Sequence, residues 1–81
     1  NDQQINIYPN PFTNYTKLEF DKNITEETTI NIVDTRGRNV RSYSNFTGRE
    51  LIIKKENLSK GLYYLEVINK SIRLKTTLII K

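Results

Sequence analysis

The sequence contains no cysteine, no histidine, no methionine and no tryptophan. Without cysteine, neither a disulfide nor a thiolate metal site can hold the fold, and bridges give no information about the redox compartment. Without cysteine and histidine, catalysis by these residues and metal sites built on soft or imidazole ligands are excluded. Most enzyme classes are therefore ruled out by composition.

Clustered carboxylates are also scarce. Asp2, Asp21 and Asp34 are isolated in the sequence, so a calcium site would lack the several oxygen ligands that it needs. Glu26 and Glu27 are adjacent, but neighbouring side chains in a turn or strand point apart, and these two lack the apolar surroundings that a general acid needs. We therefore expect no catalytic site, no metal and no cofactor.

Long apolar runs and a strong charge of one sign are missing as well. No run of about 18 apolar residues, the length that predicts a membrane-spanning helix, occurs, and no signal-peptide pattern opens the chain. Thirteen basic and nine acidic residues give a net charge of +4, which favours solubility but is no signature of nucleic-acid binding. Because the chain contains no methionine, we expect it to be a piece of a longer polypeptide.

The apolar residues that are present follow a regular pattern. They make up 36% of the chain, which is below the usual share of a globular protein, but they recur at strand spacing. A chain of 81 residues can build one modest core. We therefore expect one ordered domain over residues 1–81.

The most apolar strand pattern follows the turn that ends at Gly61. In this strand Tyr63, Leu65 and Val67 share one face at a period of two, which predicts a fully buried face and a central position in a sheet. If Tyr63 lies in the core, its change to alanine should lower the free energy of unfolding by about 3–5 kcal/mol.

Two prolines predict a rigid corner near the start of the chain. A short strand with Ile5 and Ile7 on one face must stop at Pro9 and Pro11, because each proline removes a backbone donor and extends the residue before it. Phe12 is then the apolar side chain that anchors the corner to the core.

The remaining pattern predicts a hairpin and further short strands. Asp34 and Gly37 suit the first position and the left-handed position of a hairpin loop. In the return strand Val40, Ser42 and Ser44 share a weakly apolar phase opposite Arg41 and Tyr43, which predicts an edge strand or a bend.

The predicted strands span residues 4–8, 15–20, 28–33, 39–46, 50–53, 62–68 and 72–80, with breaks at 21–23 and 47–49. Seven short strands without helical periodicity predict an all-β fold, a seven-stranded antiparallel immunoglobulin-like β-sandwich.

Three motifs in this order resemble a known family. They are YPNPF at residues 8–12, VDTRGR at 33–38 and LSKGLYYLEV at 58–67, followed by an apolar last strand that ends in Lys81. Over residues 5–81 they resemble the type A C-terminal sorting domain of the bacterial type IX secretion system. The resemblance implies that recognition involves Pro9, Asn10, Pro11, Phe12, Gly37, Arg38, Gly61, Tyr63, Leu65, Val67, Lys75, Leu78, Ile80 and Lys81.

The resemblance also implies partners and a route. Such domains follow a cargo protein in Bacteroidetes-type bacteria and pass from the periplasm to the outer membrane, the cell surface or the medium. The type IX secretion machinery recognises them, including an outer-membrane shuttle barrel and a sortase-like cysteine peptidase that removes them. Cleavage is expected just upstream of Ile5, with residues 1–4 as a linker remnant.

Other interpretations remain open at this stage. The apolar terminal strand could pair with a partner sheet if it lies at an edge, and weak self-association through edge strands is possible by the same means. An immunoglobulin-like accessory or glycan-binding module of a secreted enzyme is the second interpretation, in which Tyr15, Tyr43 or Tyr64 would contact glycans. Nucleic-acid binding by Arg36, Arg38, Arg41 and Arg49 is the third interpretation, and we expect no nucleic-acid partner.

Overall fold

The computed structural model describes residues 3–81, in which five strands form one antiparallel sheet. The strands are β1 (Ile5–Tyr8), β2 (Tyr15–Asp34), β3 (Asn39–Lys54), β4 (Gly61–Ile68) and β5 (Arg73–Ile80). Along one path the order is β1-β2-β4-β5, and β3 pairs with the other edge of β2. No helix in the described part of the chain has the length and apolar character needed to cross a membrane.

The prediction of an all-β antiparallel fold is confirmed, but five strands in a curled half-barrel replace the predicted seven-stranded sandwich. The predicted breaks at residues 21–23 and 47–49 lie inside β2 and β3, respectively. The register between these strands shifts between Glu19 and Ile24 and again between Ile24 and Thr28. Bulges therefore bend the two long strands at the positions where turns would have ended them.

The bend in β2 is stabilised by specific contacts. Ile24 is buried at the bend, while the Arg49 guanidinium donates to the carbonyl oxygens of Phe20 at 3.2 Å and Asp21 at 3.0 Å. On β3, Gly48 has a φ of +120°, a conformation that disfavours side chains. The Arg49 guanidinium thus satisfies two backbone carbonyl oxygens at the bend, where β2 continues as one strand.

The core lies inside the curl. Phe20 and Phe46, from the two bent strands, approach with ring centroids 5.6 Å apart. The buried apolar cluster is Phe12, Leu18, Phe20, Ile24, Ile30, Ile32, Ile53, Leu58, Tyr63, Leu65, Val67, Ile72, Leu78 and Ile80. The predicted central strand is confirmed, because β4 lies between β2 and β5 and its face of Tyr63, Leu65 and Val67 is buried.

The predictions for β3 are confirmed in part. It lies at an edge and bends midway, as expected, and Val40, Ser42 and Ser44 do lie in one phase. That phase faces outward, since Val40 is 40% exposed, whereas Tyr43 packs against the core opposite Ile30. The register with Ile30 decides the inner face, which the weak apolar pattern of β3 alone did not decide.

Candidate recognition surface at the terminal strand

The proline corner lies against the end of β5. Phe12 is buried, and its backbone N–H donates to the carbonyl oxygen of Ile79 at 3.0 Å. The backbone N–H of Lys81 in turn donates to the carbonyl oxygen of Phe12 at 2.9 Å, and Phe12 forms a parallel bridge with Ile80. The corner therefore acts as a very short extra strand on the edge of β5. The prediction that Phe12 anchors the corner is confirmed.

Asn10 makes the second link between the corner and β5. Its side-chain oxygen Oδ1 accepts from the backbone N–H of Ile79 at 2.9 Å, and its Nδ2 donates to the carbonyl oxygen of Thr77 at 3.2 Å. The amide thus imitates a peptide group, because it offers one acceptor and one donor to the strand edge. The peptide bonds before Pro9 and Pro11 are both cis.

A buried threonine fixes the other side of the corner. Thr16 is fully buried at the start of β2, and its Oγ1 donates to the carbonyl oxygen of Pro9 at 2.5 Å. The corner is therefore bonded both to β2 and to β5. This arrangement leaves the rings of Pro9 and Pro11 exposed on the surface.

The central predicted residues shape this surface from below. On β4, Tyr63 lies opposite Leu78 and Gly61 lies opposite Ile80. The Tyr63 hydroxyl Oη donates to the carbonyl oxygen of Ser59 at 2.7 Å, which fixes the turn before the strand. The predicted recognition residues that are buried are Phe12, Tyr63, Leu65, Val67, Leu78 and Ile80. The exposed members of the predicted set are Pro9, Asn10, Pro11, Gly37, Arg38, Gly61, Lys75 and Lys81.

The outward face of β4 and β5 carries an apolar pair that the sequence analysis missed. Leu62 and Ile79 lie directly opposite each other and are 41% and 37% exposed, respectively. Next to them, the Lys75 ammonium lies 5.0 Å above the Tyr64 ring centroid, a cation–π distance. The alternation of side chains along a strand could have indicated this outward face, because the side chains of residues 73, 75, 77 and 79 must face away from buried Leu78 and Ile80.

Gly37 and Arg38 belong to a separate hairpin at the junction of β2 and β3. The Gly37 N–H donates to the carbonyl oxygen of Asp34 at 3.0 Å, and its φ of +86° is left-handed as predicted. The Asp34 carboxylate accepts from the backbone N–H groups of Arg36 and Arg38, both at 2.9 Å, and from Nε of Arg38 at 2.8 Å. The Arg38 backbone donor, aided by its guanidinium and by Arg36, holds the pKa of Asp34 below its usual value.

Three of the four arginines considered for nucleic-acid binding are bonded to other groups of the chain. Arg38 pairs with Asp34, and Arg49 donates to carbonyl oxygens at the bend of β2. Arg41 donates to the carbonyl oxygens of Lys54 and Lys55 and lies 3.6 Å from the Glu56 carboxylate. The guanidinium groups of Arg41 and Arg49 bond backbone carbonyl oxygens, and that of Arg38 bonds the Asp34 carboxylate. These contacts within the chain explain their positions without a phosphate ligand.

The tyrosines considered for glycan binding differ in their exposure and contacts. Tyr43 is half-buried with its hydroxyl bonded to Arg41, and Tyr64 lies beneath Lys75. Tyr15 is 57% exposed. Tyr8, which the sequence did not single out, is 75% exposed. Within residues 3–81, no group of three or more acidic side chains is placed to hold a metal ion.

Comparisons with known proteins give one finding. No curated protein matches the chain. A family model described as the secretion system C-terminal sorting domain matches residues 6–81, which include the corner, the Gly37 hairpin, β4 and β5. Members of this family are sorting signals for type IX secretion, which carries proteins to the cell surface or the extracellular space. The chain therefore belongs to the family of type IX secretion system C-terminal sorting domains.

Proposed function

We propose that this domain is a non-catalytic, removable address on a cargo protein that precedes it. The outer-membrane type IX machinery, including its shuttle barrel, recognises the folded domain after transit through the periplasm. A sortase-like cysteine peptidase then removes the domain, and the cargo is released or attached to the cell surface. The family match over residues 6–81 supports the sorting role, and the geometry described above supports a specific recognition surface.

The main observation that supports this proposal is the hydrogen bonding of the proline corner to the terminal strand β5. Asn10 and Ile79 are 69 positions apart in sequence, yet four hydrogen bonds join residues 10–12 to residues 77–81. A partner that binds here contacts both ends of the domain at once. Such a surface exists only in the folded state, so recognition is linked to completed folding of the domain.

We define the recognition surface as the exposed residues Pro9, Asn10, Pro11, Leu62, Lys75, Ile79 and Lys81. Its centre is the apolar pair of Leu62 and Ile79, and its rim holds the amide of Asn10 and the two lysines. An apolar centre with a polar rim is the usual organisation of a protein–protein interface. The buried motif residues Phe12, Tyr63 and Ile80 hold this surface in shape.

Cleavage is proposed to occur ahead of Gln3. The side chain of Gln3 is bonded to the backbone of Lys22, and the backbone of Gln4 is bonded to Asp21. A peptidase needs an extended segment that it can enclose, and residues bonded to β2 do not offer one. The other predicted linker residues, Asn1 and Asp2, lie outside the described part of the chain.

An export assay tests the proposal. Residues 1–81 are fused behind a reporter that carries an export signal to the periplasm, and the fusion is expressed in a bacterium with a type IX system. The expected result is reporter at the cell surface or in the medium, with the domain removed. Reporter that stays in the periplasm at the level of an untagged control would overturn the proposal.

Glycan binding is retained as the second candidate because Tyr8 and Tyr15 share one exposed face. The registers Tyr8–Lys17 and Lys17–Ile52 place these side chains on the outer face of β1, β2 and β3. Exposed aromatic rings on one face of a sheet can stack against sugars. A glycan array on which Tyr15→Ala abolishes a specific signal supports this candidate, and a silent array dismisses it.

A further inference from the structure

The edge of β5 is divided into a covered part and a free part. In an antiparallel ladder, successive residues direct their backbone groups alternately toward one neighbour and the other. Ile79 gives both of its backbone groups to the corner, so residues 73, 75, 77 and 79 direct theirs away from β4. The hydrogen bond from the Asn69 N–H to the carbonyl oxygen of Ile72 supports this assignment. It shows that the carbonyl oxygen of residue 72 points toward the β4 side, as those of the even-numbered residues of β5 should.

The corner covers only the last part of this edge. It bonds the carbonyl oxygen of Thr77, both groups of Ile79 and the N–H of Lys81. Within residues 3–81, no hydrogen bond engages the outward N–H and C=O groups of Arg73 and Lys75 or the N–H of Thr77. Five consecutive ladder groups on a strand without a bulge therefore have no partner within the described residues.

The other edges are poorer templates for a new strand. β1 has four residues, and β3 is interrupted by register shifts and by the positive φ angles of Asn45 and Gly48. β5 pairs with β4 in a continuous register over eight residues without a bulge. An exposed edge without a bulge is the geometry that strand addition requires.

Charge selects the strand that fits this edge. Arg73 and Lys75 are exposed, and they follow Lys70 in the preceding hairpin. The one acidic residue in register with residues 73–79 is Glu66 on β4, which lies opposite Lys75. A second copy of the same edge would place cations opposite cations, which disfavours self-pairing. An acidic strand gains from the same charges.

We infer that residues 73–77 of β5 accept an extended acidic segment of a partner protein, which adds a sixth strand beside the proline corner. This inference deepens the proposed function and rests on it for the identity of the partner as a component of the secretion machinery. The new strand begins where the corner ends. The partner thus meets the recognition surface and the free edge together.

A peptide experiment tests the inference without any secretion system. The probe is a ten-residue peptide of alternating glutamate and valine, and the control replaces each glutamate with lysine. In NMR spectra of the labelled chain, the acidic peptide is expected to shift and protect the amides of Arg73, Lys75 and Thr77, and the basic peptide is not. Equal effects of both peptides, no protection of these amides, or concentration-dependent shifts from self-pairing without peptide would overturn the inference.

A proline substitution supplies the matched variant. Lys75→Pro removes one outward N–H and leaves the ladder to β4 intact, since residue 75 donates nothing to β4. We expect it to weaken peptide binding by about tenfold, because a hydrogen bond is lost and the ring blocks its neighbour. Lys75→Ala, which removes the charged side chain but keeps the backbone N–H, is expected to weaken binding by about two- to threefold. Equal affinities of the two variants would contradict strand addition.

Methylated peptides keep the test independent of the folding of the proline variant. Two versions of the acidic peptide carry methyl groups on alternate backbone nitrogens. In one version the methylated nitrogens are those that would face β5, and in the other they are those that would face away from it. One version is expected to lose binding and the other to retain it, and equal binding of both would also overturn the inference.

In the export assay, transport of Lys75→Pro at the wild-type level refutes the edge inference alone. Failure of the unmodified tag refutes the sorting proposal, while the peptide result still decides the edge.

Discussion

Single residues explain how the recognition surface is held in place. Asn10 satisfies two backbone groups of β5 with one side chain, and Phe12 fills the core beneath them. The sequence indicated the corner and its apolar anchor, because two prolines exclude a regular strand there. It did not indicate the bonds of Asn10, since its partners are 67 and 69 positions away and no local pattern encodes that distance.

At this scale Phe12→Ala is expected to lower the free energy of unfolding by about 3–5 kcal/mol, because a fully buried aromatic ring is replaced by a cavity. Phe12→Leu keeps most of the volume and should lose about 1.5 kcal/mol or less. Urea denaturation of the purified domain measures both values. A loss below about 1 kcal/mol for Phe12→Ala would show that the ring is not buried as described.

Asp34 predicts a pH dependence of stability. Hydrogen bonds from Arg38 and Arg36 lower the pKa of Asp34 in the folded state, so folding is stabilised above the ordinary pKa of 3.8. This contribution is lost as the pH falls below about 4 and through the lowered folded value. The difference in melting temperature between wild type and Asp34→Asn should therefore be larger at neutral pH than at the acidic end. A difference that is constant with pH would contradict the assigned cause.

Among the elements, β2 and β3 differ most from what the sequence predicts, because each is longer than the predicted strands within it. Apolar alternation correctly located the strand segments, including 15–20, 28–33 and 39–46, because period-two burial is a local property. It did not show that Asp21 and Gly48 lie inside continuous strands. Turn-forming residues also suit bulges, and the choice between a turn and a bulge depends on distant contacts such as those of Arg49.

The bend itself gives a prediction for Arg49. Arg49→Ala removes two hydrogen bonds to carbonyl oxygens of β2 and should lower the free energy of unfolding by about 1–3 kcal/mol. Arg49→Lys should recover only part of this loss, because an ammonium group lacks the planar fork that spans both carbonyls. Chemical denaturation measures the two variants. Full recovery by lysine would mean that charge alone, and not the paired geometry, stabilises the bend.

At the scale of the whole molecule, the curl makes the two ends of the chain interdependent. β5 contributes Leu78 and Ile80 to the core, while the corner near the other end covers its edge. Removal of residues 78–81 should therefore unfold the domain, as circular dichroism would show by loss of the β-sheet signal. A truncated domain that keeps this signal would contradict the assigned role of β5 in the core. Failed export after such a truncation would not by itself identify a recognition residue.

The most direct test of the account compares Asn10→Ala with Arg49→Ala in the export assay. Each variant loses two hydrogen bonds, one at the recognition surface and the other at the bend of β2. The Asn10→Ala fusion is expected to accumulate in the periplasm, whereas the Arg49→Ala fusion, at a similar measured stability, is expected to reach the cell surface or the medium. Equal export of the two fusions would contradict recognition through the joined corner and terminal strand.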